Sequence, residues 1–250
     1  MNEQTASWDR LSQYYDTSKN SGDIPAGAAD NILVAWPPMI EILTSQLSDM
    51  HGRKAADLGC GGGGFCKRLH DLGFQVVGID PSEGMINVAQ HSNPEGVQFF
   101  QGDSSKLKKA GEKFDVITSI MALQFDPNIK QTAHNIRDSL LPYGIVIITV
   151  FNPAYVTARL KAGTLFENFD SVKKPGTRFI NLYGQRLQTY IRTATEYDEI
   201  FEGLGLKKVA EKTPPFTKEF LKKYPKYIPI KEPEFLILAY KQPSGNKSGS

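Results

Sequence analysis

Short apolar runs punctuate the chain at 54–58, 74–79, 97–100, 114–125 (a strand with its exit) and 145–150, most of them closed by an acid, an amide or a glycine turn. Such runs predict strands buried on both faces, as in a parallel sheet. Between them apolar residues recur every three or four positions, which predicts helices over 65–72, 82–90 and 128–140. Gly73 is placed to end the first of these in a left-handed cap, and Ser82 to open the second as its N-cap. Ahead of the first strand the pattern predicts two helices, 7–16 and 28–50, separated by a loop with Gly22, Pro25 and Gly27. The far end reads as a helix over 194–204 and strands over 206–213 and 234–240.

This alternation specifies an α/β sheet with helices on both faces and no second nucleotide-binding half. The stretch 151–193 breaks it. No helix is expected directly after the fifth strand; instead aromatic and polar residues crowd there, with a β-hairpin about Gly184. It reads as a cap over a binding mouth. The Pro- and Lys-rich segment 214–233 is a further candidate for the cap.

The chemistry concentrates where the first strand ends, at Asp57-Leu58-Gly59-Cys60-Gly61-Gly62-Gly63-Gly64. Glycines there let the backbone turn through positive φ and approach a ligand, with a helix N-terminus behind them. Gly59, Gly61 and Gly64 also satisfy the dinucleotide spacing. Asp57, however, places a negative charge where a pyrophosphate would sit, so it suits a cationic ligand group better. Asp80 ends the second strand 23 positions later, near the separation at which an acid accepts ribose hydroxyls. Asp103, after the third strand, is a further acid at a strand's C-terminal end, where open α/β sheets bind ligands.

The run Asp57-Leu58-Gly59-Cys60-Gly61 resembles the first motif of class I S-adenosyl-L-methionine (SAM) methyltransferases. Asp80-Pro81-Ser82 with Met85, Gln101-Gly102-Asp103-Ser104, the exit of the fourth strand through Met121 and Gln124, and Leu141-Pro142-Tyr143-Gly144 are similar to the motifs that follow in that family. The resemblance spans about 8–240 and implies a Rossmann-like, doubly wound seven-stranded sheet, mostly parallel with an antiparallel last strand. It also implies SAM as cofactor and S-adenosyl-L-homocysteine as product, held by Asp57, Gly59, Cys60, Gly61, Asp80, Pro81, Met85, Asp103, Ser104 and Met121. Residues 1–50 then resemble a helical lid, with Tyr14 and Tyr15 over the acceptor. Gln124, Asn152, Tyr155 and Tyr183 are the other acceptor-side candidates, and Tyr15 and Gln124 the candidates for a catalytic role. Where many relatives carry a histidine or an aromatic residue this chain has Gln124, so no histidine base is expected there. Asp115, early in the fourth strand, and His134, inside a helix, read as structural.

Composition narrows the partners. With 29 basic and 27 acidic residues interspersed there is no basic field for nucleic acid, and no apolar run reaches the length of a membrane span. Cys60 and Cys66 have no neighbouring ligands for a metal, and read as reduced thiols of a cytoplasmic protein. A chain of 250 residues is expected to fold as one domain over 1–242, with a disordered Gly- and Ser-rich tail over 243–250. The expected function is methyl transfer to an O, N or C atom of a small, partly apolar or aromatic molecule. A catalytically silent SAM-binding regulator and an NAD-dependent oxidoreductase are the alternatives.

Overall fold

In a computed structural model, which describes residues 3–14, 24, 27–93, 95–109, 113–168, 176–225 and 230–244, the apolar runs pair into one seven-stranded sheet. Its strands are β1 (Lys54–Leu58), β2 (Gln75–Asp80), β3 (Gln98–Gln101), β4 (Phe114–Ile120), β5 (Leu140–Phe151), β9 (Lys207–Lys212) and β10 (Phe235–Lys241), in the order β3-β2-β1-β4-β5-β10-β9. The first five run parallel, and β10 lies antiparallel between β5 and β9. This is the mostly parallel sheet with an antiparallel last strand that the sequence implies. The order reverses between β1 and β4, which opens a crevice at their C-terminal ends.

Successive side chains of a strand point to opposite faces, and the core divides accordingly. Ala55, Val76, Ile145, Ile147 and Ile237 pack under α2 (Trp36–Gln46), α3 (Gly64–Asp71) and α4 (Glu83–Ser92). Ala56, Val77, Val146, Ile148 and Leu238 pack under α5 (Ser105–Lys109), α6 (Ile129–Ser139) and α8 (Ala194–Glu202). Local signals set the helix limits. Gly73 adopts φ 97° after α3, the Ser82 side chain accepts from the Met85 amide at the start of α4, and Thr193 with Glu196 forms a capping box on α8.

The N-terminal helix α1 is Glu3–Leu11, followed by a 3-10 turn at Ser12–Tyr14, so it begins earlier than the expected 7–16. The expected 28–50 helix is a π-turn, Asn31–Ala35, running into α2, and it ends at Gln46. The expected turn 141–144 is absorbed into β5 as an excursion: pairing jumps from Phe114↔Leu140 to Val116↔Ile145, with Tyr143 at φ 63°.

The largest departure follows β5. A helix, α7 (Pro153–Lys161), does come directly after it, because Asn152 accepts from the Ala154 amide as N-cap and Pro153 fills the first helical position. A three-stranded sheet then forms from β6 (Phe166–Asn168), β7 (Thr177–Leu182) and β8 (Gln185–Tyr190), the β7–β8 hairpin turning at Tyr183 and Gly184 as expected. One face of this sheet, with Phe166, Ile180 and Leu187, buries against Phe151 and Tyr155 and meets Leu11 of α1. In the segment 214–233, α9 (Lys218–Lys223) packs Phe220 beside Trp36 and Met39 in the main core, and no described residue of the segment lines the large cavity of the site. Its Phe216 and Ile230 pack against the hydrophobic cluster of the three-stranded sheet, so the segment supports the cap from outside the cavity. Tyr15 and tail residues 245–250 lie outside the described residues.

Candidate functional site

The C-terminal ends of β1, β2, β3 and β4 open into a cavity of about 1260 Å³. Its floor is the glycine turn after β1, where Gly59, Gly61 and Gly63 all take positive φ. At Gly59 the requirement is also steric, since a Cβ there would stand 2.3 Å from the Ala122 Cβ. At Gly61 an added Cβ would meet only Met85 Sδ, at 3.9 Å, so the space above that residue opens into the cavity.

Two carboxylates are buried in this floor. Asp57 is 2% exposed, its Oδ1 accepting from Thr118 Oγ1 at 2.7 Å and its Oδ2 from Cys66 Sγ at 3.8 Å. Burial pushes its carboxyl up to about 7, against the lowering effect of the Thr118 bond. Asp80 accepts from the Gly61 amide through Oδ2 and from the Ser82 amide through Oδ1, both at 2.9 Å, so it ties the glycine turn to the start of α4. Burial raises it to about 6. Neither has a cationic side chain as partner among the described residues, and both line the cavity. A pyrophosphate would face two acids here, whereas a cation would repay their desolvation and a diol could use the lone pairs left on Asp80.

The remaining cofactor candidates surround the same space: Cys60, Pro81, Met85, Asp103, Ser104 and Met121 all line it. Hydrogen bonds from the Ser105 side chain and from its amide, the latter at 2.9 Å, hold the Asp103 carboxyl below the usual range. Ser104 is anchored by Thr132 and Asn135. Met121 adopts φ 52°, unusual for a non-glycine residue, at the point where β4 leaves the sheet. Asp115 is structural as expected, bridging Arg53 at 2.7 Å and accepting from the Lys54 amide, and His134 is exposed on α6.

Helix α1 lies across the cavity. Asp9 Oδ1 accepts from Ser82 Oγ at 2.6 Å and from the Gly84 amide at 3.0 Å, so it grips the N-terminus of α4. Gln4 donates to the Phe125 carbonyl at 3.2 Å, and Trp8 meets the Phe125 ring edge-on with centroids 5.1 Å apart. The β7–β8 hairpin is locked over the β4 exit by Thr189 Oγ1 donating to the Gln124 carbonyl, and by Arg192 donating to the carbonyls of Leu123 and Asp126.

On the acceptor side the structure redistributes the candidates. Tyr155 is 1% exposed among Phe151 and Phe166 and accepts from Arg159 Nε, because the helix α7 that carries it is docked as core. Asn152 is used as that helix's cap. Tyr14 and Tyr183 stack on each other with rings 4.6 Å apart, at the exposed tip of the hairpin and outside the cavity wall. Gln124 is buried beside Met121 Sδ at 3.8 Å with its Oε1 unpartnered, next to the wall and not part of it. The wall on this side is formed instead by Trp8, Phe125, Phe179, Arg186, Gln188 and Tyr190. A signal for the last three was present: they alternate with Leu187 and Thr189 along β8, so burying the apolar face turns Arg186, Gln188 and Tyr190 the other way.

A family model described as a methyltransferase domain matches residues 55–144, the stretch from β1 to the bulge of β5. Among curated proteins, the ubiquinone biosynthesis O-methyltransferase of Azorhizobium caulinodans is 33% identical over 109 residues, covering 42% of this chain and 43% of that protein. The enzyme of the same name from Mesorhizobium japonicum is 29% identical over 164 residues, 60% of this chain and 65% of that one. The chain thus spans between 43% and 65% of the length of these curated relatives. Among solved structures, an S-adenosylmethionine-dependent methyltransferase from Mesorhizobium loti superposes with a TM-score of 0.60 at 20% identity, over 81% of this chain and 96% of that one. Magnesium protoporphyrin IX methyltransferase from Synechocystis, with bound S-adenosylhomocysteine, superposes with a TM-score of 0.62 at 17% identity, over 96% and 95%. These superpositions establish a shared fold.

Proposed function

We propose that this chain is a class I S-adenosyl-L-methionine-dependent methyltransferase and that it methylates an O, N or C atom of a small, partly apolar or aromatic molecule, with SAM as donor; the methyltransferase-domain match over 55–144 and the shared fold support the reading. One observation carries the reading: a single cavity joins two buried carboxylates, without a cationic partner among the described residues, to an aromatic wall supplied by α1 and the β7–β8 hairpin.

Asp57 faces the charge that a sulfonium and ammonium ligand brings, Asp80 suits the ribose hydroxyls, and Met85, Asp103 and Ser104 suit the adenine. SAM supplies, when bound, a methyl carbon on an already activated leaving group. The protein's task is therefore to align donor and acceptor and to exclude water, and well-oriented approximation contributes about 7–11 kcal/mol. Helix α1, held by Asp9 and Trp8, and the hairpin, held by Thr189 and Arg192, do both. No histidine among the described residues lines the cavity, which supports an acceptor already nucleophilic at neutral pH.

We read residues 1–242 as one unit and its compartment as the cytoplasm, where Cys60 and Cys66 stay reduced; both are free and buried. No helix among the described residues is long and apolar enough to cross a membrane. The test is to screen methyl transfer from labelled SAM against small-molecule, protein and nucleic-acid pools. Labelling in the small-molecule pool is expected, and labelling of protein or nucleic acid alone would overturn the proposal.

A further inference from the structure

The cavity wall divides by charge. Asp57, Asp80 and Asp103 stand along the sheet edge, while the wall's one cation among the described residues, Arg186, stands across from them on β8. Of the two other acids in the wall, Glu3 is exposed at the start of α1, and Asp126 accepts from the Asn128 amide. Arg186 is about half exposed; its guanidinium lies 3.6 Å over the Phe179 ring and its Nε forms an ion pair with Glu167 at 3.0 Å, which leaves its terminal nitrogens without a partner among the described residues. A guanidinium stacked and oriented in this way loses little freedom on meeting a carboxylate.

Beside it, Gln188 pairs with Phe179 across the hairpin, and its amide nitrogen is buried with no hydrogen-bond partner. A buried donor left unpaired costs about 1–3 kcal/mol, a cost removed when a ligand supplies the acceptor. The surrounding surface is flat and aromatic, with Phe179 and Tyr190 on the hairpin and Trp8 on α1.

We propose that the cavity face of β8 recognises the methyl acceptor, and that Gln188 and Arg186 select an aromatic molecule bearing a carboxylate. The proposal rests on the methyltransferase reading and adds a substrate class to it: the acceptor's anion sits on β8, opposite the acids that face the cationic cofactor. Gln188 and Arg186 are specificity residues, and neither contacts the cofactor side.

The test is a ligand-observed NMR titration of benzoate, benzyl alcohol and benzylamine against the protein saturated with S-adenosylhomocysteine, whose own binding is first measured by calorimetry. Benzoate is expected to bind roughly tenfold or more tighter than benzyl alcohol, the advantage of a hydrogen bond to a charged group. Benzylamine is expected to bind no better than the alcohol. Gln188→Leu and Arg186→Gln should each reduce the benzoate advantage by about fivefold or more, with homocysteine-product affinity unchanged as the check that each variant is folded. Equal binding of the three probes, a preference for benzylamine, no benzoate binding, or an advantage that survives both substitutions would overturn the proposal. Failure to bind S-adenosylhomocysteine at all would instead refute the methyltransferase reading.

Discussion

Replacing Asp57 by Asn should move stability and cofactor binding in opposite directions. Burial lifts this carboxyl from its ordinary 3.8 to about 7, so the folded protein holds the proton more tightly than the unfolded chain does. The sign follows from linkage: below about pH 4 both states are protonated and nothing is lost, and as pH rises toward 7 the free protein loses stability. Above 7 the whole penalty is present, and at about 1.4 kcal/mol per pH unit it amounts to roughly 4 kcal/mol. Asparagine abolishes that penalty and can still accept from Thr118, but its amide adds a donor facing Cys66, at a cost of about 1–3 kcal/mol. The ligand-free variant should therefore be about 1–3 kcal/mol more stable than wild type at pH 8, and about 2–3 kcal/mol of that difference should disappear by pH 5. Its affinity for SAM should fall by about 2–5 kcal/mol, the range for truncating one member of a buried charge pair. Urea unfolding at the two pH values and calorimetric titration with SAM measure both effects. If the variant were less stable than wild type at pH 8 and bound SAM equally well, Asp57 would be a structural hydrogen-bond acceptor and the electrostatic argument would fail.

Asp80→Ala should weaken SAM binding by about 1.5–3 kcal/mol in the same titration, as a charged acceptor is lost and the Gly61 and Ser82 amides are released. Gly61→Val should abolish cofactor binding while circular dichroism still reports a folded domain, because the β-branched side chain resists φ 53° in the turn and projects into the open space of the cavity rather than into the core. Asp9→Ala should lower kcat more than it lowers SAM affinity, since it frees α1 from Ser82 and Gly84 and loosens a lid that excludes water; equal losses in both would assign Asp9 to the cofactor site.

What the sequence made legible is what local pattern determines. The central strands are buried on both faces, so their runs are continuous and their C-terminal acids, Asp57 and Asp80, mark the site without knowledge of pairing. Helix α7 rests on one short local signal, the Asn152-Pro153 pair that caps and starts it, within a segment otherwise dominated by aromatic and polar residues. The acceptor wall is fixed differently. Tyr155, Tyr183 and Tyr190 are alike as residues, and only the docking of the three-stranded sheet on Phe151 and Leu11 sends the first into the core, the second to the exposed tip and the third to the cavity. That docking is a contact between distant segments, which composition and periodicity do not encode.

The most direct measurement of the central claim is a crystal structure of the protein with S-adenosylhomocysteine. The account predicts the ligand in the cavity above Gly61, with its ribose hydroxyls on Asp80 and its amino group toward Asp57. A ligand bound elsewhere, or bound here with neither carboxylate in contact, would contradict it.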